Sequence, residues 1–352
     1  MVDLLRLNPY HIDTLLQVAE ILKHQGDHTA AGDMIERALF AFDKSCHSLF
    51  NLTTGKVRLP FEYAENRSFY LTVFRHIANL ARRGTWRTAF EFVKILLSLD
   101  PKLDSYEALT MIDVFAVKAK QYQYVIDLSR CDFFSERIAF LPNLHFSVAV
   151  AYCMADAEDS KAGVALQKAF EKFPWLANEL SLQFRNQGWN NIIPPGNMQR
   201  VLAAMYMERA KDLWLDGKVD ALLDDARSAS SPSPVSDDRG VDLNLARHII
   251  LTDTPALLSL LPKKYTSRGS MASDPLPPNF DQPVTVENTI AGAHQVLRSF
   301  FSSLLPWHPG DRSQERLDRM MHTLEGQALD ELDLDGEDAE LMRAAEELLR
   351  PR

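Results

Sequence analysis

A short acidic segment near the end of the chain has the residue types of a calcium-binding loop. Carboxylates alternate with leucines from Glu331 to Asp335, and Gly336 follows where such loops turn sharply. With Gly336 at the sixth position of the loop, the first ligand is Glu331 instead of an aspartate. The twelfth position, which needs a bidentate glutamate, is Met342. The segment lacks its most important ligand, so the sequence does not favour a calcium site.

His24 and His28 have the spacing of two zinc ligands on one helix face. Gly26 and Asp27 separate them with a turn, and no glutamate follows the first histidine, so we expect two exposed turn histidines. The phosphate-loop pattern G-x-x-x-x-G-K-[ST], the dinucleotide pattern G-x-G-x-x-G and the nucleophile pattern G-x-S-x-G are absent from the sequence. We predict no metal, no cofactor and no enzymatic activity, although residues distant in sequence could still assemble a catalytic pocket.

Composition and charge bound the class of protein. The 352 residues are 46% hydrophobic, enough for a sizeable core, and the formal net charge is -10. Because contact with phosphates requires a basic surface, we do not expect direct DNA binding. No apolar run reaches the roughly 18 residues that suggest a transmembrane helix, so no membrane partner is expected. Three separated cysteines are typical of reduced, mostly buried thiols.

The elements that position these residues are predicted to be tetratricopeptide-like helix pairs. Such a unit has small residues where its two helices cross and a glycine at the turn. The first copy has Gly26 at the turn and Ala19 and Ala31 at the crossing. The second has Gly84 at the turn and Ala89 at the crossing. In a third copy, one helix face carries Ala162, Leu166, Ala169 and Phe170. In a weaker fourth unit, the residues on one face are Met111, Phe115, Tyr122 and Val125.

The predicted fold is all-α, a degenerate tetratricopeptide-like α-solenoid with a short non-helical insertion and a looser helical C-terminal part. An irregular helical bundle with chance matches is the alternative. Each proline of the Leu-x-Pro pairs that end at Pro9 and Pro101 is expected to stop one helix and start the next. The predicted repeats span 1–177, with an insertion near 48–64 that has room for a small hairpin. A helical extension over 178–228, loop-rich to residue 196, and a linker over 229–241 follow. The last divisions are helices over 242–305 around a Pro/Ser-rich linker at 263–283, and an acidic, partly disordered tail over 306–352.

The helix start after the insertion allows two interpretations. Asn66 suits an N-cap, which would make the stretch a capped helix start. Alternatively, Arg67 and the preceding loop offer a polar docking point. Tryptophans near glycine or proline breaks are further candidate anchors, because aromatic residues often dominate binding energy. The candidate partner-binding residues are Asn66, Arg67, Tyr70, Arg58 and Trp189.

An ordered set of stretches resembles the transcription factor 25 family, whose fungal members are called ribosome quality control complex subunit 1. The stretches are NPYHIDTLL (8–16), HSLFNLTTGKVRL (47–59), ENRSFYL (65–71), LPN (141–143) with FS (146–147), RHII (247–250), LLP (260–262), DPLPP (274–278), FF (300–301) and LLP (304–306). None of them is specific alone, but together they span most of the chain in the expected order. The Pro/Ser-rich linkers are similar to those of fungal members.

The resemblance implies a non-catalytic scaffold that acts on the large ribosomal subunit after ribosomes stall. Its implied partners are a listerin-type ubiquitin ligase, ubiquitin, the large subunit and a valosin-type AAA ATPase, which together ubiquitylate and extract the blocked nascent chain. The implied location is the cytoplasm, with the nucleus as a second location. Family members usually begin with a long Lys/Arg-rich region that this chain lacks, which argues against ribosome docking by this chain alone.

Two other functions stay open at the level of sequence. A generic helical-repeat adaptor would capture a short linear motif in the groove of the repeats. A nuclear transcriptional regulator would fit the other name of the family, but the sequence has no DNA-binding motif and no basic face.

Overall fold

Helix pairs joined by glycine turns build the first part of the structure, a computed structural model. The helices up to residue 99 are α1 (Val2–Leu7), α2 (Ile12–His24), α3 (His28–Ser45), α4 (Ala64–Arg82) and α5 (Trp86–Leu99). Gly26, between α2 and α3, has a φ of +83°, and Gly84, between α4 and α5, has a φ of +75°. Glycine adopts this conformation without steric cost, so each turn reverses the chain and pairs its two helices.

The structure describes residues 2–47, 49–155, 159–188, 195–229, 240–266 and 276–277, which all belong to one compact unit, Met1–Phe280. Several predictions fall outside the described residues: Trp189, the calcium-like segment, most of the two Pro/Ser-rich linkers, the helix expected after residue 287 and the acidic tail. None of the described helices is long and apolar enough to cross a lipid bilayer.

Further helices continue the stack without glycine turns. They are α6 (Ile112–Lys118), α7 (Tyr122–Ser129), α8 (Ser135–Ile138), α9 (Pro142–Met154) and α10 (Asp159–Lys172), with 3-10 turns at Ala108–Thr110 and Asp132–Phe134. Successive pairs contact each other through α3 and α4, through α5 and α6, and through α7 and α9. The all-α class is confirmed for the described residues. The assignment of these pairs to the tetratricopeptide class stays a prediction.

Small residues occupy the helix crossings, as the repeat pattern predicts. Ala19 and Ala31 in the first pair, Ala89 in the second, and Ala162 and Ala169 between α9 and α10 are all 5% exposed or less. Protein interiors are close-packed, so a larger side chain at such a crossing would push the helices apart. These alanines therefore set the distance between paired helices.

The insertion contains no hairpin, because the described residues form no β-strand. It contains instead a 3-10 turn at Leu52–Thr54 that ends at Gly55, whose φ is +65°. The side chain of Asn51 accepts hydrogen bonds from the backbone N–H and the hydroxyl of Thr53. Such local bonds compete with strand pairing, so the turn signal produces a tight helical turn here.

The loop-rich stretch expected from residue 178 begins later than predicted. Helix α11 spans Pro174–Arg185, with Pro174 in its first turn and Asn186 in the left-handed conformation after its end. Pro174 closes α10 but also starts α11, because proline is pre-organised for the first turn of a helix. Pro9 and Pro101 do not start helices as expected, since both lie in turns.

The C-terminal helices pack against the repeats. They are α12 (Asn197–Ala210), α13 (Gly217–Ala229), α14 (Leu243–Thr252), α15 (Pro255–Leu258) and α16 (Lys263–Thr266), with a 3-10 turn at Lys211–Leu215. The side chain of Asp242 caps α14 by accepting from the backbone N–H of Leu245. Ala246 and Ile249 of this helix are completely buried. The expectation of a looser C-terminal part therefore does not describe α14.

We expect the substitution Ala169→Trp to lower the free energy of unfolding by about 1–3 kcal/mol, because the indole overpacks a closed helix crossing. Lys168→Trp, at the exposed neighbouring position, is the matched control and should unfold like the wild type. Chemical denaturation monitored by circular dichroism measures the difference. Equal stability of both variants would show that α9 and α10 do not cross at Ala169.

Candidate partner-binding surface

The insertion between α3 and α4 is an ordered, exposed loop. Arg58 lies on its surface and folds back over the turn, where its guanidinium donates to the carbonyl oxygens of Gly55 at 2.8 Å and Val57 at 2.9 Å. Leu49 is 84% exposed and Tyr63 is 56% exposed, so the loop presents apolar side chains as well as a cation to solvent. Such a mixed surface suits a protein partner.

The second half of the insertion is fixed to the repeats by one backbone hydrogen bond and by the hydroxyl of Tyr70. The N–H of Leu59 donates to the carbonyl oxygen of Leu99 at the end of α5, at 2.8 Å. The hydroxyl of Tyr70 on α4 donates to the carbonyl oxygen of Leu59 at 2.5 Å. Tyr70 is 1% exposed, and its ring packs edge-on against Phe61 with centroids 5.2 Å apart. The structure thus places Tyr70 in the core beneath the insertion.

Asn66 and Arg67 hold the same segment from the first turn of α4. The Nδ2 of Asn66 donates to the carbonyl oxygen of Pro60 at 2.8 Å. Arg67 donates from Nε to the carbonyl oxygen of Phe61 at 3.1 Å and from Nη2 to that of Glu62 at 2.8 Å. Charge-assisted bonds of this kind are stronger than neutral ones, so Arg67 is an anchor for the insertion.

The N-cap assigned to Asn66 is wrong. Helix α4 begins at Ala64, and its N-cap is Tyr63, which makes no side-chain capping bond. Asn66 lies within the first turn and uses its amide on the loop instead. Glu65 does lie in the first turn, where its charge complements the positive end of the helix.

The structure brings four of the five candidate residues together around residues 55–62. Arg58, Asn66, Arg67 and Tyr70 all bond to backbone carbonyls of the insertion, so they shape the loop. Their contact with a partner stays a prediction, as does that of Trp189, which lies outside the described residues.

Removing the Tyr70 hydroxyl, which donates to the Leu59 carbonyl, should loosen the insertion. We expect Tyr70→Phe to cost about 1–3 kcal/mol locally, because the Leu59 carbonyl loses its donor in a partly buried position. Hydrogen exchange at the amide of Leu59 should become faster. Tyr63→Phe, which removes an exposed hydroxyl nearby, is the control and should leave that rate unchanged. If the Leu59 amide stays equally protected in Tyr70→Phe, the hydroxyl of Tyr70 does not hold this part of the insertion.

Helix α14 contacts the first helices of the first two pairs, α2 and α4. Asp253 at its end forms an ion pair with Lys23 of α2, with Nζ and Oδ2 2.9 Å apart. His248 packs edge-on against Phe74 of α4, with ring centroids 5.5 Å apart. The Nδ1 of His248 lies 2.6 Å from the carbonyl oxygen of Tyr106. Thus α14 contacts α2 and α4, the first helices of the first two pairs.

The protonation state of His248 follows from its neighbours. The carbonyl of Tyr106 can only accept, so Nδ1 has the proton, and Nε2 is left to accept from the guanidinium of Arg209 on α12. Burial, together with the Arg209 charge, holds the pKa of His248 well below its usual range. His248 is therefore a neutral bridge between α14, α12 and the chain after α5.

Arg247 is the second polar residue of α14 that faces inward, and it is 1% exposed. It donates from Nη1 to the carbonyl oxygen of Ser105 at 2.6 Å and from Nε to that of Leu276 at 2.9 Å. Its guanidinium carbon lies 4.7 Å from the ring centroid of Phe61. Since Phe61 belongs to the insertion, Arg247 connects α14 to the insertion.

A buried acidic pair lies beside this connection. Asp104 and Glu107 share one guanidinium, that of Arg137, with distances of 3.8 Å to Asp104 Oδ2 and 2.7 Å to Glu107 Oε1. Burial and the Asp104 carboxylate raise the pKa of Glu107 to about 8, and burial also raises the pKa of Asp104. One cation cannot compensate both charges, so the pair holds a proton near neutral pH.

This pair should make stability fall as pH rises. The unfolded chain releases the Glu107 proton near pH 4.5, whereas the folded chain keeps it to about pH 8. The native state therefore binds more protons in that window, and the free energy of unfolding decreases through it. We expect Glu107→Gln to flatten urea-denaturation stabilities measured between these values. The exposed Glu36→Gln is the control, and an unchanged slope in Glu107→Gln would show that Glu107 is ionised throughout.

One group of side chains has metal-ligand types but is already compensated. Glu20, His24 and Asp253 bring ligand atoms within 4.8 Å of one another. Lys23 lies 2.9 Å from both carboxylates, and Arg75 lies 3.1 Å from Glu20. Two cations between two carboxylates make this an ion-pair network between α2 and the end of α14.

Sequence reasoning missed the polar residues of α14. Only the family resemblance points to the stretch 247–250. A signal was present, however, because an arginine and a histidine interrupt the apolar stripe of a short helix. Charged residues on such a stripe are expected to have partners when buried.

Comparison with known proteins gives the chain its relatives. The profile of the Tcf25 family, described as "Transcriptional repressor TCF25", matches residues 1–278. "Ribosome quality control complex subunit 1" of Schizosaccharomyces pombe is 36% identical over 284 residues, covering 78% of this chain and 43% of that protein. The human "Ribosome quality control complex subunit TCF25" is 31% identical over 365 residues, covering 90% and 53%. "Probable transcription factor claV" of Ampulloclitocybe clavipes is 31% identical over 327 residues, covering 78% and 41%.

The chain thus spans about half the length, or less, of these relatives. No solved structure matches it significantly. The matched region covers the described unit almost completely, including the insertion, α14 and the residue that Arg247 contacts near position 276. The chain belongs to the Tcf25 family.

Proposed function

We propose that the chain is a non-catalytic scaffold of ribosome-associated quality control, which assists the ubiquitylation and extraction of stalled nascent chains on the large ribosomal subunit. Its proposed partners are a listerin-type ubiquitin ligase, ubiquitin, the large subunit and a valosin-type AAA ATPase. Its proposed location is the cytoplasm, with the nucleus as a second location. Two relatives named as ribosome quality control subunits support this proposal.

The packing of α14 is the structural observation that supports a scaffold most directly. A helix more than a hundred residues away in sequence bonds to the chain after α5 through Arg247 and His248. A scaffold must hold its partners at fixed distances, and rigid, pre-organised surfaces lose little entropy on binding. The anchored insertion is then a fixed feature that a partner can recognise.

A repeat adaptor that binds a peptide along the whole inner face is less well supported, because α14 already contacts α2 and α4, two of the helices that would line such a face. A transcriptional role is favoured by the description of the family and by the name of the Ampulloclitocybe relative. The net charge of -10 speaks against direct contact with nucleic acid by this chain.

The test is affinity purification of the full-length tagged protein from cells that express a stalling reporter. We expect enrichment of large ribosomal subunits and of the ligase. Arg58→Glu, which reverses an exposed charge of the insertion, should reduce that enrichment several-fold, since surface charges steer association. Arg200→Glu on α12, equally exposed, should leave it unchanged. If the wild-type protein enriches neither partner, or enriches chromatin instead, the scaffold proposal is abandoned.

A further inference from the structure

A cavity of about 390 Å³ opens where α14 ends, between α2, α3, α4, α6 and α12. Most of its wall is apolar, and three aromatic side chains, Phe74, Trp86 and Phe115, contribute to it. Its size is within the range of pockets that hold small ligands or single side chains. The question is which chemistry its few polar groups would recognise.

Arg209 is a cation of this wall on which the carboxylates of Asp113 and Glu208 act only from beyond ion-pair distance. Its guanidinium donates to the carbonyl oxygen of Thr110 at 3.1 Å and to Nε2 of the neutral His248. No carboxylate among the described residues forms an ion pair with it. Burial lowers the pKa of Arg209 to about 10, so it stays charged at neutral pH. A buried charge that only neutral acceptors contact is poorly compensated, and an anion would stabilise it.

Asn79 provides an unused donor on the same wall. It is 8% exposed, and its Nδ2 has no hydrogen-bond partner among the described residues. A Cβ at Gly32 of α3 would lie 2.6 Å from this nitrogen, so glycine is needed there to leave the amide in place. Buried donors without acceptors are rare in folded proteins, and a bound ligand is one explanation.

The remaining charges of the wall also favour an anion. Glu20 is compensated within its ion-pair network by Lys23 and Arg75. Arg82 is exposed at the rim and has no partner among the described residues. Glu208 is the other acidic residue of the wall, so the cations Arg82 and Arg209 outnumber the uncompensated carboxylates there. This local balance is opposite in sign to that of the chain as a whole.

We infer that this cavity binds the side-chain carboxylate of an aspartate or glutamate in an extended segment of a protein partner. Arg209 and Arg82 supply the charge, the Asn79 amide donates to one oxygen, and an adjacent apolar side chain packs on the aromatic wall. A phosphate dianion fits less well, because the cavity offers one buried cation and one neutral amide for its desolvated charge. The site gives the chain a specific pocket beside the end of α14, and it does not depend on the proposed function.

The test uses the purified full chain against a phage library of short random peptides displayed without a free C-terminus. We expect the recovered peptides to share an aspartate or glutamate beside an apolar residue. Binding of one synthetic peptide is then measured by fluorescence anisotropy, and replacing its carboxylate by the amide should weaken binding at least about tenfold. Recovery of peptides without a shared acidic position overturns the inference.

Variants that leave the buried groups intact locate the binding. Arg82→Glu should weaken the acidic peptide about tenfold, and Ala78→Trp should abolish binding by filling the exposed rim of the cavity. Arg200→Glu and Lys168→Trp, exposed positions outside the cavity, are the matched controls for charge and size and should bind like the wild type. If Arg82→Glu and Ala78→Trp bind as the controls do, the peptide lies elsewhere and the inference is wrong.

Discussion

The buried guanidinium of Arg247 is the group on which the arrangement of the described unit depends. Taking an isolated cation out of water costs several kcal/mol. The guanidinium of Arg247 can therefore be buried only where hydrogen-bond acceptors contact its N–H groups. Ser105, Leu276 and Asn244 supply those acceptors, and the ring of Phe61 covers one face. These groups belong to four separate parts of the chain. Displacing Leu276 would remove the acceptor that Nε and Nη2 share, and displacing Ser105 would remove an acceptor of Nη1, so this cost favours a single arrangement.

Phe61 joins this constraint to the insertion. Its ring lies within cation–π distance of both Arg247 and Arg67, and it packs against Tyr70 and Tyr106. A displacement of Phe61 in the insertion would therefore shift the packing of Arg247 on α14. Contacts of this kind transmit displacement because packed interiors deform little. Phe61 thus packs the insertion and α14 against each other.

Local features of the fold could be predicted from the sequence, whereas long-range ones could not. Gly26 and Gly84 predict turns, and Ala169 predicts a helix crossing. These features follow from short periodic patterns, because the helices of one pair are neighbours in sequence. The cap assigned to Asn66 failed because its true acceptor, the Pro60 carbonyl, lies on a loop whose path no local pattern determines. The residues around His248 do not indicate which group it bonds to, a carbonyl 142 residues earlier in the chain. Buried polar residues on an apolar helix face mark only that some partner exists.

The charges of the described unit are unevenly placed, and the placement has a consequence for recognition. The chain as a whole is acidic, yet Arg75, Arg209 and Arg247 lie inward between the first helices and α14 or α12. All three donate to backbone carbonyls, which satisfy hydrogen bonds without cancelling charge. Arg75 is also paired with the carboxylate of Glu20, whereas Arg209 forms no ion pair among the described residues. Positive potential is therefore kept around Arg209, where low-dielectric walls strengthen it and favour acidic protein segments as ligands.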